Sequence, residues 1–107
     1  MAADNVLQLN LSRHHAEKLL REIAKDSSRV FFSTHATKRM TNRKISRIQV
    51  FRCLTKGHIT EGPARGSRGN WELKMEVYSA GEPLSVVAVL DNDGRGNYII
   101  IVTVYGN

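Results

Sequence analysis

The chain has 107 residues, a mass of 12.0 kDa, 41% hydrophobic residues and a net charge of +6. This length suits a single domain, 1–107, with its own core, and the lone Cys53 excludes an intramolecular disulfide or a cysteine cluster for a metal. The longest apolar run, Tyr98–Val102, is too short for a membrane span, which needs about 20 residues. Together with an N-terminus that lacks a signal-peptide pattern, these features predict a soluble protein of the reducing cytoplasm.

The positive charge is concentrated in the first half of the chain. Residues 1–56 hold 12 Lys/Arg against 4 Asp/Glu, whereas residues 57–107 hold 4 Lys/Arg against 6 Asp/Glu. The stretch 27–60 has no acidic residue at all. Such a distribution favours a polyanionic partner, most commonly nucleic acid, although a solvated basic face is the alternative.

The first elements in the chain are predicted to be helical. Val6–Leu9 is either a brief edge strand or a flexible lead-in. Ser12 is a suitable N-cap for an amphipathic helix that runs to about Lys25. After the short apolar segment Val30–Phe32, which is a connection or a strand, Ser33 can cap a second helix from Thr34 to about Arg43.

The third helix has the clearest start signal. Ser46 and Gln49 form a capping box, and Ile45 with Val50 can form a hydrophobic staple. Gly57 is expected to end this helix as a C′ residue.

Beyond Gly57 the apolar pattern changes to a period of two, which is typical of strands. The expected strands are His58–Glu61, Trp71–Tyr78, Leu84–Leu90 and Tyr98–Tyr105, and Ala64–Gly69 is expected to be a surface loop. Helices followed by a run of strands predict an α+β fold, with two or three N-terminal helices on one face of a three- to four-stranded antiparallel sheet.

One helix face carries the residues best suited to chemistry. His35, Arg39 and Arg43 are spaced by four and therefore share one side of the second helix. An imidazole can transfer the protons of RNA cleavage, and guanidinium groups can hold phosphate and stabilise transition-state charge. The alternative, favoured by spacing alone, is an ordinary basic helix face.

Other candidates lie around this helix and on the predicted sheet. Tyr105, which shares a face of the last strand with Thr103, could donate a proton or stack on a base. Further candidate nucleic-acid contacts are polar or basic side chains, namely Lys38, Asn42, Lys44, Arg47, Arg52 and Lys74. No histidines or cysteines have zinc-ligand spacing and no phosphate-binding glycine loop is present, so neither a metal nor a cofactor is expected.

The second helix and its flanks also resemble a known motif. The run from Phe32 to Arg43, followed by Ile45-Ser46, is similar to the pattern S-x-H-A-x-x-R-M-x-x-R-x-I-S of the bacterial family called domain of unknown function 4258. Gly57-x-Ile59 and the segment 69–72 resemble later parts of that family. The resemblance covers about residues 31–105 and leaves 1–28 as an N-terminal extension to a shared core, 29–107.

The resemblance implies a RelE-like fold, of the RelE/ParE and barnase–EndoU–colicin group, which includes many metal-independent ribonuclease toxins. It implies His35 as the acid/base and Arg39 and Arg43 as phosphate ligands. The expected function is RNA binding, with toxin-type endoribonuclease activity as the enzymatic form. The alternatives are a non-catalytic nucleic-acid-binding module and a module that binds an acidic protein such as an antitoxin, as a monomer or a homodimer.

Overall fold

The computed structural model of the chain describes residues 11–79 and 81–106. The expected segment Val6–Leu9 therefore lies outside the described residues. The elements, in chain order, are α1 (Arg13–Ala24), a 3-10 turn (Ser27–Arg29), β1 (Val30–Phe32), α2 (Thr34–Arg43), α3 (Arg47–Lys56), β2 (His58–Arg65), β3 (Trp71–Ser79), β4 (Glu82–Asn92) and β5 (Asn97–Gly106). Within this part of the chain, no helix combines the length and the apolar character that crossing a membrane requires.

The five strands form one mixed sheet in the order β1-β5-β4-β3-β2. Strands β2 to β5 are joined as an antiparallel meander, while β1 pairs in parallel with β5. The α+β class is confirmed, but the expected purely antiparallel sheet of three or four strands is wrong. Val30–Phe32 forms the fifth strand, and because it lies between α1 and α2, the helices do not all precede the sheet.

One face of the sheet forms the hydrophobic core. Alternate residues of β3 and β4, such as Leu73, Met75, Val86 and Ala88, are buried together with the apolar sides of the helices. Helix α1 contributes five buried residues and packs against α3, β2 and β5. The residues between them on the two strands point to the opposite face, which we call the open face.

The helix starts follow the sequence signals. The side chains of Ser12, Ser33 and Ser46 each accept a hydrogen bond from a backbone N–H of the first turn. The expected capping box of Ser46 and Gln49 is present in both directions. These caps fix where each helix begins, because they satisfy donors that the helix itself leaves unpaired.

The helix ends differ from the simplest expectation. Gly57 has φ −80, so it does not adopt the left-handed conformation of a usual C′ glycine. A Cβ at Gly57 would lie 2.6 Å from the carbonyl oxygen of Cys53 and 2.7 Å from that of Glu76. Glycine is needed here because backbones approach closely. The left-handed residue is Lys44, which ends α2 at φ 55.

The extension helix α1 should be essential for stability, because Leu20 is fully buried between the helices and the sheet. We expect Leu20→Ala to lower the free energy of unfolding by about 2–5 kcal/mol. Lys18→Ala, on the exposed side of the same helix, should change it by less than about 0.5 kcal/mol. Urea denaturation followed by circular dichroism measures both, and equal effects of the two substitutions would contradict this packing.

Candidate functional site

Helix α2 lies along the part of β5 that β1 does not cover. The parallel pairing of β1 stops at Phe32 opposite Ile101, whereas β5 continues to Gly106. Ser33 then donates to β5 twice, from its N–H to the carbonyl of Ile101 at 3.0 Å and from its hydroxyl to that of Val102 at 2.9 Å. Because Ala36 and Met40 are buried, the helix stays against this edge over its length.

Strand β5 contains one extra residue relative to its neighbour β4. Ala88 pairs with Ile101 and the adjacent Val87 pairs with Thr103, so Val102 is a β-bulge. Ile99 and Ile101 face the core with Ala88, whereas Thr103 and Tyr105 share the open face with Val87 and Ser85. The bulge therefore reverses the alternation of side chains in β5, so that odd-numbered residues face the core before it and the open face after it.

The ladder aligns polar residues in two neighbouring rows across the open face. One row contains Thr103, Val87, Lys74 and Glu61, from β5 to β2. The next row contains Tyr105, Ser85, Glu76 and His58. Residues that are distant in sequence thus become neighbours, because strands in a sheet lie about 5 Å apart.

Two cationic side chains from different elements meet at Tyr105. The guanidinium carbon of Arg39, on α2, lies 5.3 Å from the centre of the Tyr105 ring. The Nζ of Lys74, on β3, lies 5.6 Å from the same ring centre. Arg39 also donates from Nε to the carbonyl of Val104 at 3.4 Å, which orients the guanidinium at the strand edge. We call Arg39, Lys74, Thr103 and Tyr105 the open-face cluster.

The charges of the cluster are unequally neutralised. Lys74 Nζ lies 3.6 Å from a carboxylate oxygen of Glu61 in a solvent-accessible ion pair. Arg39 forms no ion pair with any residue in the described ranges. Since Glu72 and Glu76 also lie on β3, the open face becomes acidic towards β2. The side nearest α2 is therefore the one suited to an anion.

His35 lies on the same side of α2 as Arg39, one turn towards the helix N-terminus. Its side chain is exposed and makes no hydrogen bond or ion pair within residues 11–79 and 81–106. A ligand can reach this imidazole freely, but the protein does not hold it in one orientation.

Arg43, one turn beyond Arg39, is exposed near the C-terminal end of β5. It lines a pocket of about 180 Å³ with Gln49, Ser79 and Glu82, near the C-terminal end of β5. The predicted trio of His35, Arg39 and Arg43 is thus aligned along the helix, and of the three it is Arg39 that approaches the Tyr105 ring.

The other predicted nucleic-acid contacts are distributed over α2, its C-terminal end, α3 and β3. Lys38 and Asn42 are exposed on α2, and Lys44 is at its C-terminal end. Arg47 lies on the first turn of α3, with its guanidinium 4.4 Å from the Phe32 ring centre. Arg52 is exposed on α3, the helix that packs on the core face through β3 and β4. Of these candidates, Lys74 alone joins the open-face cluster.

Arg29, which lies in the stretch without acidic residues, has a structural role. Its guanidinium binds a carboxylate oxygen of Asp93 and the carbonyl of Gly96, both at 3.0 Å, and its Nε donates to the carbonyl of Asn97. The hydrogen bond from Arg29 lowers the pKa of Asp93. These contacts attach β1 to the turn between β4 and β5, so this charge is already used within the protein.

Thr103 is the residue that sequence reasoning left out of the site. The sequence pattern placed it on the same face as Tyr105 but offered no reason to select it over an ordinary strand residue. The structure places it in the row of Lys74. His58 and Glu61 also reach the open face, and only the strand register reveals their positions.

The comparisons with known proteins can be set beside this geometry. The family model described as "Domain of unknown function (DUF4258)" matches residues 32–106, and the chain belongs to that family. The match includes α2, α3 and β2–β5 with the whole open-face cluster, and it excludes α1. No curated protein matches the chain, and no solved structure does.

Metal ions and thiols are two other common sources of chemistry in proteins, and the chain has one thiol, that of Cys53. The described residues contain no group of three or more His, Cys, Asp or Glu arranged to hold a metal ion. Burial raises the pKa of the Cys53 thiol to about 12, and the charge of Glu76 acts in the same direction. A thiol with such a pKa is protonated at neutral pH and is a poor nucleophile.

We expect the folded protein to react with 5,5′-dithiobis(2-nitrobenzoic acid) at pH 8 at least about 100-fold more slowly than the protein unfolded in guanidinium chloride. The raised pKa reduces the thiolate fraction, and full burial blocks the reagent. Absorbance at the wavelength of the released thionitrobenzoate measures both rates. Equal rates in the two states would show that Cys53 is accessible and ionisable.

Proposed function

We propose that the protein binds single-stranded RNA where α2 meets the open face and cleaves it without a metal ion. The observation that carries the proposal is the approach of Arg39 and Lys74, from two separate elements, to the same Tyr105 ring. Two cations beside one aromatic ring, on a face that is otherwise mixed in charge, favour the binding of a phosphate there. The exposed His35 lies on the same side of α2 and supplies an acid/base group.

The cleavage chemistry requires two proton transfers and charge stabilisation. The 2′-oxygen of the ribose attacks phosphorus, the bond from phosphorus to the 5′-oxygen breaks, and the products are a 2′,3′-cyclic phosphate and a 5′-hydroxyl. His35 takes the proton of the 2′-hydroxyl, and the Tyr105 phenol donates one to the leaving oxygen. Arg39 and Lys74 stabilise the negative charge on the phosphoryl oxygens. Each atom and proton is accounted for by these side chains and the RNA.

The fold resemblance supports the same proposal. An α+β chain with helices over one face of its sheet and polar residues on the other resembles the RelE-like group, which includes metal-independent ribonucleases of toxin type. We extend this resemblance to activity because His35 and Arg39 on α2 lie beside an open face that carries Lys74 on β3 and Tyr105 on β5. A cell that produced such an enzyme would need to restrain it, for which an acidic antitoxin-like protein is a suitable partner.

The proposal is tested with a fluorophore-quencher single-stranded RNA in the presence of EDTA. Wild-type protein should cleave it, and mass spectrometry should find 2′,3′-cyclic phosphate ends. His35→Ala and Arg39→Ala should each slow cleavage by about 100-fold or more, because each removes a group that acts in the transition state. Circular dichroism should show that both variants remain folded, since His35 is exposed and Arg39 is only partly buried.

Arg52→Ala is the matched control, because Arg52 is exposed on α3 and distant from the cluster. It removes the same charge as Arg39→Ala and should leave the cleavage rate within about twofold of wild type. Equal loss in both arginine variants would mean that general charge, and not the cluster, supports activity. Wild-type rates in the His35 and Arg39 variants would refute the catalytic assignment.

A second function, RNA binding without cleavage, is favoured by the unoriented imidazole of His35. Catalytic histidines are usually held by a second group, and no described residue holds this one. This function predicts intact RNA in the assay above, together with affinity that falls steeply with salt and weakens on loss of Arg39.

A further inference from the structure

One buried hydroxyl in the open-face cluster is left without a partner. Thr103 is only 8% exposed, and its Oγ1 has no hydrogen-bond partner among the described residues. Burying a hydroxyl without a partner is unfavourable, so such groups in native proteins usually await a ligand or a water molecule. The position of Thr103 decides which of these roles it has.

Packing alone does not account for a threonine at this position. Valine has the same shape and would fill the space without a buried polar atom. The cross-strand neighbour of Thr103 on the same face is a valine, Val87. The hydroxyl is therefore the feature that requires explanation.

Thr103 lies in the row of Lys74, on the strand whose next two residues, Val104 and Tyr105, contact Arg39. In its row it is separated from Lys74 only by Val87, and Tyr105, which Arg39 and Lys74 both approach, is two residues further along β5. An anion attracted by the two cations would meet Thr103 Oγ1 as a rotatable neutral donor. The side chains that can move aside to admit it are long and partly exposed, since Tyr105 is 45% and the Lys74 side chain 33% exposed.

We propose that Thr103 Oγ1 donates a hydrogen bond to a non-bridging phosphoryl oxygen of a phosphate held by Arg39 and Lys74. The inference rests on the proposed function and specifies the group that contacts the phosphate beside the cations. Because the hydroxyl is unpaired without the phosphate, it favours binding at the expense of the stability of the free protein.

Two variants of the full chain test this role. Thr103→Val keeps the shape and removes the hydroxyl, and Thr103→Ser keeps the hydroxyl. Inorganic phosphate is titrated into the ¹⁵N-labelled proteins at constant ionic strength, and amide chemical shifts give the dissociation constant. Wild type and Thr103→Ser should bind phosphate saturably, and Thr103→Val should bind it about tenfold more weakly, as for a lost hydrogen bond to a charged acceptor.

Thermal unfolding provides the readout that separates binding from structure. Thr103→Val should melt at the same temperature as wild type or higher, because an unpaired buried hydroxyl has been removed. A lower melting temperature would show that the hydroxyl supports the fold and would overturn the inference. Unchanged phosphate affinity in Thr103→Val, or no saturable phosphate binding by wild type, would also overturn it.

The RNA cleavage assay distinguishes failure of the Thr103 phosphate contact from failure of the proposed RNA function. If wild type cleaves RNA and Thr103→Val cleaves it equally well, the role of Thr103 is wrong while the proposed function stands. Wild type could bind inorganic phosphate more tightly than Thr103→Val does and yet neither bind nor cleave RNA. In that case the phosphate contact of Thr103 stands and the RNA function is wrong.

Discussion

The β-bulge at Val102 determines which side chains of the last strand reach the open face. Without the extra residue, strict alternation would point Thr103 and Tyr105 towards the core with Ile99 and Ile101. With it, Val104 continues the core contact and the two polar residues turn to the side of Lys74. Bulges often redirect side chains next to functional sites, and here the bulge lies where α2 replaces β1 at the edge of β5.

The helix contributes the other half of the site through the same edge. Arg39 can approach Tyr105 because α2 is fixed along β5 by Ser33, Ala36 and Met40, and its Nε donates to a strand carbonyl that β1 leaves uncovered. The basic residues of the first half of the chain thus have different roles in the folded protein. Arg29 supports a turn and Arg47 covers Phe32. Arg39 approaches the same Tyr105 ring as Lys74, which comes from the acidic second half. The topology of the sheet and the position of α2 at its edge bring the charges of Arg39 and Lys74 to the same ring.

Local signals in the sequence predicted the helices well, because serine caps and four-residue apolar spacing act within a few residues. The predicted limits of the second helix, with Ser33 as the cap and Arg43 near the end, agree with those of α2. Ser46 and Gln49 form the expected capping box. The parallel pairing of Val30–Phe32 was not predictable, since it joins residues about 70 positions apart in the chain. The bulge at Val102 was not predictable either, because it depends on the register of β5 against β4 and leaves no local signal in the sequence. Helix periodicity aligned His35 and Arg39 on one side of α2, but it could not show that Arg39 approaches the Tyr105 ring, which lies on a different element.

Mapping where RNA binds on the protein tests the proposed site most directly. A 2′-O-methyl RNA oligonucleotide, which cannot be cleaved through its 2′-oxygen, is titrated into the ¹⁵N-labelled full chain and followed by NMR. The largest amide and side-chain shifts should fall on α2 near His35 and Arg39 and on the open-face residues Lys74, Thr103 and Tyr105. Shifts concentrated on α3, around Arg47 and Arg52, with the open face unchanged, would contradict the account.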